Sequence, residues 1–358
     1  MVKLSVNLAD RSYPIYISPD FSGLGRAMNT ARLNGKVMVV TDSNVSGHYL
    51  KVCTDELEAA GAEVYSYAIE AGEKSKTLST VQDIYRQLAD LRFDRNSSII
   101  ALGGGVVGDI TGFAAATFMR GINFIQVPTT LLAQADSSIG GKTGVDFEGS
   151  KNMVGAFYQP RFVYINVKTL STLPKRELSS GLAEVIKHGL ILNSEFYDYM
   201  NYNLDKIFRF DDNTLQYVTK MNCSIKKSIV EQDEKEGGLR AILNFGHTIG
   251  HAVESASEFS LLHGECVAIG ISGAFKLALK LGMLTKDVAA RVDKTLMAAA
   301  LPTKAPGLDP DTVYEKMLSD KKAKDGRLSF ILPKGIGEVI SCTVDDERLL
   351  KEVISELV

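Results

Sequence analysis

Apolar positions change their rhythm once along this chain. In the first half they come as short continuous runs, 36–41 (KVMVVT), 98–102 (SIIAL) and 123–128 (NFIQVP). Such runs mark strands buried on both faces. Residues 2–17 alternate as two short strands around a turn at Asp10, Arg11 and Ser12, and 62–69 reads as a further strand. Helices are expected from the N-cap at Asp42-Ser43-Asn44 to about 60, over 78–91 and over 106–118. Strand and helix in alternation predict a parallel sheet covered by helices, a Rossmann-like α/β domain. Ligands of such sheets sit at the carboxyl ends of the strands, where Asp42, the glycines 103–105 and Thr129-Thr130 fall.

Beyond about 174 the helical period takes over, at 177–192, 196–203, 213–232, 245–258, 265–281 and 288–300, with short β runs only at 328–332 and 337–341. The division is expected within 166–174, giving an α/β domain over 1–170 and an all-α domain over 171–358.

Length supports that division, since 358 residues are many for one core. Hydrophobic content of 45% and charged content of 23% describe an ordinary globule, and a net charge of −3 argues against nucleic-acid or membrane partners. No apolar stretch approaches the ~20 residues that cross a bilayer, and the alternating N-terminus lacks a signal-peptide core. Cys53, Cys223, Cys266 and Cys342 are scattered without a CxxC, which reads as small hydrophobes in a reducing compartment. The cytoplasm is the expected location.

The stretch ALGGGVVGDITGFAAATFMRGINFIQVPTTLLAQADSSIGGKTGVD (101–146) carries the first candidate chemistry. Glycines between a strand and a helix let backbone N–H groups approach an anion at the positive end of the helix. Gly103 to Gly108 fits G-x-G-x-x-G, though a packing turn fits it equally. It is not the first βα turn, and no ribose-binding acid follows it. Asp42 could take that role; by position it reads equally as a plain N-cap. Further on, GGKTG sets Lys142 among small residues, with Asp136 just upstream.

The helical half holds His247 and His251 at i, i+4, with Glu254 one turn along, then His263-Gly264-Glu265, and earlier Glu184, Lys187 and His188 on one face. Four of the five histidines thus lie in polar clusters inside apolar helices, which points to a metal. Imidazole and carboxylate ligands without thiolate suit zinc, with cobalt or manganese as alternatives. Spacing leaves open which of His188, His247, His251 and His263 coordinate.

The motifs GGGVVGDITGFAAATFMRG, VPTTLLAQADSSIGGKTGVD, KNMVGAFYQP, LSSGLAEVIKHG, DEKEGGLRAILNFGHTIGHAVE and LHGE, in this order, resemble the 3-dehydroquinate synthases of the shikimate pathway, within the sugar-phosphate cyclases. The resemblance implies a homodimeric, NAD-dependent, zinc-containing lyase (cobalt as the alternative metal), with its active site in the cleft between the two domains. It implies conversion of 3-deoxy-D-arabino-heptulosonate 7-phosphate to 3-dehydroquinate and phosphate, the second step specific to the route toward chorismate and the aromatic amino acids. The steps are transient oxidation by NAD, phosphate elimination, reduction, ring opening and intramolecular aldol closure.

Carried over by position, the metal ligands are Glu184, His247 and His263, which leaves His251 as a proton-transfer residue outside the metal shell. NAD is expected along Asp42, Asn44, Ala71, Gly72, Glu73, Lys74, Ser75, Lys76, Gly104, Gly105, Val106, Val107, Gly108, Asp109, Thr129 and Thr130, with Lys142, Lys151, Thr169, Leu170, Ser171 and Thr172 completing the site. Lys142, Asn152, Lys187, Asn244, Lys322 (or its neighbour Lys321) and Arg120 of the partner subunit surround the phosphate. Lys226 and Arg240 hold the carboxylate. The catalytic set is His251, Lys142, Lys187, Asp136 and Asn244.

Overall fold

The computed structural model describes residues 1–320 and 328–358, so Lys321 and Lys322 lie outside the described residues. In chain order come β1 (Val2–Val6), β2 (Tyr13–Ser18), α1 (Leu24–Ala31) and β3 (Lys36–Asp42). The short α2 (Ser43–Val45) runs through a π turn into α3 (Lys51–Ala59). Then follow β4 (Glu63–Ile69), α4 (Leu78–Asp90), β5 (Ser98–Gly103), α5 (Gly105–Thr117), β6 (Asn123–Pro128), β7 (Lys142–Phe147), β8 (Ser150–Phe157) and β9 (Phe162–Asn166). The remainder comprises α6 (Lys175–Leu192), α7 (Ser194–Phe208), α8 (Asp212–Gln232), α9 (His247–Ala256), α10 (His263–Lys280), α11 (Lys286–Ala298), α12 (Pro310–Asp320), β10 (Leu328–Gly335), β11 (Glu338–Val344) and α13 (Glu347–Ser355).

The chain divides into two units: Met1–Leu173 with Phe210–Lys235, and Pro174–Arg209 with Glu236–Val358. A single cut at 170 therefore misses the return of α8 to the first unit. In that unit seven strands form one sheet in the order β1-β2-β9-β6-β5-β3-β4, parallel except for the β1–β2 pair. The central strands read as unbroken apolar runs because both faces are covered. Met38, Val40, Ile99 and Ala101 pack on one side with Ile84, Leu88, Ile110 and Ala114. Val37, Val39, Ile100 and Leu102 pack on the other with Leu24, Met28, Cys53 and Leu57.

Strand order also marks where a ligand belongs. From β3 the chain moves outward to β4, then returns to place β5 on the other side of β3. The strand order reverses there, so the carboxyl ends of β3 and β5 flank the crevice in which open α/β sheets bind ligands.

The hairpin β7–β8, the strand β9 and the helix α1 go beyond the elements expected from patterning. The hairpin turns through Glu148 (φ 46°) and Gly149 (φ 78°), a two-residue loop with both central residues left-handed. Its strands are glycine-bearing and half exposed, which weakens the alternating signal.

The second unit is mainly helical, as expected, and the antiparallel hairpin β10–β11 falls at the two short β runs seen in the sequence. Residues 178–191 of α6 are buried all round, as are most of α10. A Cβ on Gly270 would come within 1.8 Å of the Gly246 carbonyl, so α9 and α10 pack backbone to backbone. Among the described residues, no helix is long and apolar enough to cross a membrane.

Candidate active site

In the first unit Asp42, the loop 71–76 and residues 104–109 follow the carboxyl ends of β3, β4 and β5, at the switch point. Gly104 caps α5 and the helix begins at Gly105. A Cβ on Gly104 would lie 3.1 Å from Thr130 Cγ2, and one on Gly105 would lie 3.2 Å from Ser137 Oγ, so side chains would fill the approach to the helix N-terminus. Gly108 serves packing: its Cβ would meet the Gln126 carboxamide at 2.9 Å. Thr129 N donates to the Gly103 carbonyl at 2.9 Å, while the buried Thr129 Oγ1 has no hydrogen-bond partner. Such an orphan at a strand end suits a ligand.

Asp42 does cap the following helix, its Oδ1 accepting from Asn44 N at 2.8 Å and Val45 N at 2.9 Å. Ser43 Oγ accepts from Ala71 N at 3.1 Å, tying that cap to the loop of Gly72, Glu73, Lys74 and Ser75. Gly72 sits at φ 109°, and Ser75 Oγ donates to the Glu70 carbonyl. At the carboxyl ends of β6 and β9, Thr169 Oγ1 and the carbonyls of Pro128 and Asn166 all accept from the buried Gln134 carboxamide. Leu170 is buried beside it, Ser171 and Thr172 are exposed, and Thr172 Oγ1 lies 2.7 Å from Tyr49 Oη. Val106 and Val107 occupy the first turn of α5.

Two ion pairs, each with a buried lysine, complete this unit. Lys76 Nζ lies 2.6 Å from Asp109 Oδ2 and also donates to Asn152 Oδ1. Lys226 on α8 lies 2.6 Å from Asp136 Oδ1. Asn152 holds φ 55° and donates its backbone N–H to Asp146 Oδ1. Lys142 and Lys151 on the hairpin are exposed, as is Arg120, which stands at φ 67° beside Met119 at φ 50°.

Burial lifts Asp109 to about 6 from 3.8, against the downward pull of Lys76. Burial opposes the Lys76 ammonium, but the Asp109 carboxylate outweighs it and raises that group. The pair is therefore ionic at neutral pH. Between about pH 4 and 6 the folded chain keeps a proton on Asp109 that the unfolded chain has released. That contribution to stability is full below about pH 4 and is lost as pH rises to about 6. Denaturant titrations should show this fall in the native chain, and Asp109→Asn should remove it.

The second unit brings together the three expected metal ligands. Glu184 comes from the middle of α6, His247 from the start of α9 and His263 from the start of α10. Glu184 Oε1 lies 3.5 Å from His247 Nε2 and 3.4 Å from His263 Nε2, and the three donor atoms fall within 4.8 Å of one another. His247 Nδ1–H donates to the Phe245 carbonyl at 3.1 Å, which leaves the Nε2 lone pair facing Glu184. One carboxylate oxygen and two aimed imidazoles fit a catalytic zinc or cobalt site with an open position. His251 stays outside this triad, its ring centroid 5.1 Å from that of His247 and 6.1 Å from that of His263.

Electrostatics in the triad follow from burial and Lys187, which pairs with Glu184 Oε2. Burial works against the Glu184 charge, yet Lys187 and the two histidines hold its carboxyl well below the usual range. Burial and Lys187 push His247 down to about 3, so it is a neutral donor. Burial disfavours the His263 imidazolium, but Glu184 and Glu254 raise it to about 9. A third of that side chain is exposed, so solvent tempers the effect, and a metal must displace its proton.

His263 reaches Glu184 because two helices meet without a side chain between them. A Cβ on Gly264 would lie 1.9 Å from the Ser180 carbonyl, and Gly264 N donates to Ser180 Oγ at 3.1 Å. Glu184 is one turn further along the same face of α6. Arg176, at the start of α6, grips Glu265 through Nε and Nη2 at 2.7 Å each. Glu265 Oε2 also accepts from Leu262 N at 2.8 Å, which fixes the entry to α10. Gly264→Ala should destabilise the chain by about 1–3 kcal/mol or more and weaken metal uptake, read by thermal melting and metal analysis.

The patterning missed Arg176, Glu265 as a cap, the Phe245 carbonyl and Gln134. Only the glycine between His263 and Glu265 could have signalled the close approach. Of the other expected substrate residues in this unit, Arg240 is buried in a 3₁₀ turn, and Asn244 Nδ2 donates to Glu236 Oε1 at 3.3 Å.

Models of the 3-dehydroquinate synthase N-terminal and C-terminal regions match residues 66–180 and 181–323. The chain belongs to the 3-dehydroquinate synthase family. It is 60% identical over 358 residues to the 3-dehydroquinate synthase of Acetivibrio thermocellus, covering 100% of this chain and 99% of that protein. A crystal structure of 2-deoxy-scyllo-inosose synthase with carbaglucose-6-phosphate, NAD⁺ and Co²⁺ is similar at a TM-score of 0.91 and 28% identity, over 100% of both chains. The 2-epi-5-epi-valiolone synthase of Streptomyces hygroscopicus subsp. jinggangensis 5008, with NAD⁺ and Zn²⁺ bound, is similar at 0.90 and 27%, over 98% of both chains. The family expected from the motifs is thus the one the comparisons find.

Proposed function

We propose that this chain is a 3-dehydroquinate synthase, a lyase that turns 3-deoxy-D-arabino-heptulosonate 7-phosphate into 3-dehydroquinate and phosphate. The observation that carries this reading is the convergence of Glu184, His247 and His263, in a chain whose glycine turn and strand order suit a nucleotide. The triad would hold the metal. NAD would lie along Asp42, Asn44, the loop 71–76, residues 104–109 and Thr129-Thr130, with Lys142, Lys151 and residues 169–172. When bound, the metal lowers the cost of an alkoxide on the substrate, and NAD takes a hydride and later returns it, so neither is consumed.

The chain's own residues bind, orient and move protons. His251 receives the substrate hydroxyl proton at its imidazole, a role suited to its place beside the triad. Lys187 holds Glu184 by charge and presents its ammonium toward the phosphate end. Lys142, Asn152, Asn244 and Arg120 of the partner subunit complete the phosphate set, with Lys322 or Lys321. Lys226 and Arg240 take the carboxylate, with Asp136 fixing the Lys226 ammonium. In this reading the chain works as a homodimer in the cytoplasm.

The test mixes the purified chain with NAD⁺, zinc and the heptulosonate phosphate. Inorganic phosphate should appear with no lasting absorbance from NADH, and a chelator should stop it. Stoichiometric NADH without phosphate would instead mark a polyol dehydrogenase. Equal turnover of sedoheptulose 7-phosphate, which lacks the carboxylate, would mark a different cyclase.

A further inference from the structure

Glu254 lies one helical turn beyond His251 on α9, buried to 6% exposure. Its Oε2 is 3.5 Å from Nδ1 of His263, while Nε2 of the same ring is 3.4 Å from Glu184 Oε1. The imidazole is thus set between two carboxylates, one at each nitrogen. His247 shows the parallel arrangement with a different acceptor, its Nδ1–H on the Phe245 carbonyl and its Nε2 toward Glu184. An imidazole that ligates through one nitrogen presents the other as an N–H. The group accepting that N–H fixes the tautomer and the ring plane, and a carboxylate there also makes the ring a stronger donor.

We infer that Glu254 is a positioning residue for the metal site: it accepts the Nδ1–H of His263 and thereby aims Nε2 into the triad. The inference rests on the metal reading proposed above. Glu254 is placed for the task by the helix itself, since α9 carries His247 at its first turn and Glu254 two turns on, along one face. That face lies against the first turn of α10, where His263 stands.

A second reading of the same atoms is available, because His251, Glu254 and His263 also offer donors within 4.8 Å of one another. In that reading Glu254 would be a ligand of a second ion. The two readings differ at one atom, since a metal there needs an unprotonated His263 Nδ1, whereas the positioning role needs an N–H toward Glu254. The positioning role therefore requires one metal per chain.

The test uses the full-length chain stripped of metal, with Glu254→Gln and Glu254→Leu. Zinc affinity is read by competition with a chromophoric chelator, geometry by the visible absorption of the cobalt form, and fold by the melting temperature without metal. The native chain should take up one equivalent. Removing such a carboxylate partner costs about 10–100-fold in metal affinity. Glutamine keeps an acceptor without the charge and should lose about tenfold; leucine should approach about 100-fold, with a shifted cobalt band. The metal-free melting temperature of the glutamine variant should match the native chain, so the inference stays testable if leucine fails to fold. Native affinity and spectrum in the glutamine variant would overturn it. So would two equivalents in the native chain with one lost in both variants. A native chain that binds no divalent ion would instead overturn the metal reading beneath it.

Discussion

His247→Ala should lose both the metal and turnover, retaining far less than one equivalent of zinc per chain after dialysis. Two donors remain, Glu184 and His263, and a catalytic zinc is held by three protein ligands. The deficit should exceed the roughly 100-fold loss that removal of a ligand's hydrogen-bond partner causes. His251→Ala is the control on the same helix face. It should keep a full equivalent of metal and lose rate, because its ring lies outside the triad. Both variants are measured by metal analysis and phosphate release. Full metal in His247→Ala, or metal loss in His251→Ala, would exchange the two roles.

Arg240→Ala should raise KM for the heptulosonate phosphate by about 10–100-fold, the worth of about 1.5–3 kcal/mol for hydrogen bonds to a charged group. Arg240 is buried to 2% exposure, an uncommon place for a guanidinium that has only to keep a surface soluble. A planar fork matches a carboxylate and a lysine does not, so Arg240→Lys should recover little. Sedoheptulose 7-phosphate, without the acid group, should show no comparable change between native and variant. An unchanged KM for the acid substrate would remove Arg240 from the carboxylate site.

How far the sequence reached depended on how each feature leaves its mark in one dimension. The buried strands β3, β5 and β6 were legible because covering both faces demands unbroken apolar runs. The hairpin β7–β8 was not, since Gly144, Gly155 and an exposed Met153 and Phe157 leave no clean alternation. That α8 returns to the first unit was equally hidden. Its Asn222 and Lys226 bond Ala135 and Asp136 across about 90 residues, a pairing no local window contains.

The metal triad illustrates the same divide. Polar groups in apolar helices signalled a metal, yet spacing left open which of His188, His247, His251 and His263 coordinate. What brings His263 beside Glu184 is the tight approach of Gly264 to Ser180 and the Arg176–Glu265 clamp, both tertiary. The motif resemblance named Glu184, His247 and His263 together, a grouping that the fold brings within 4.8 Å and that no local window contains. The outward set of Arg120 rests on two successive left-handed residues, which composition does not announce.

An anomalous difference map at the zinc edge, from crystals of the chain loaded with one equivalent, tests the account most directly. One peak is predicted, about 2.0–2.2 Å from Glu184, His247 Nε2 and His263 Nε2. A peak bonded to His251 and Glu254 instead, or to none of these side chains, would contradict it.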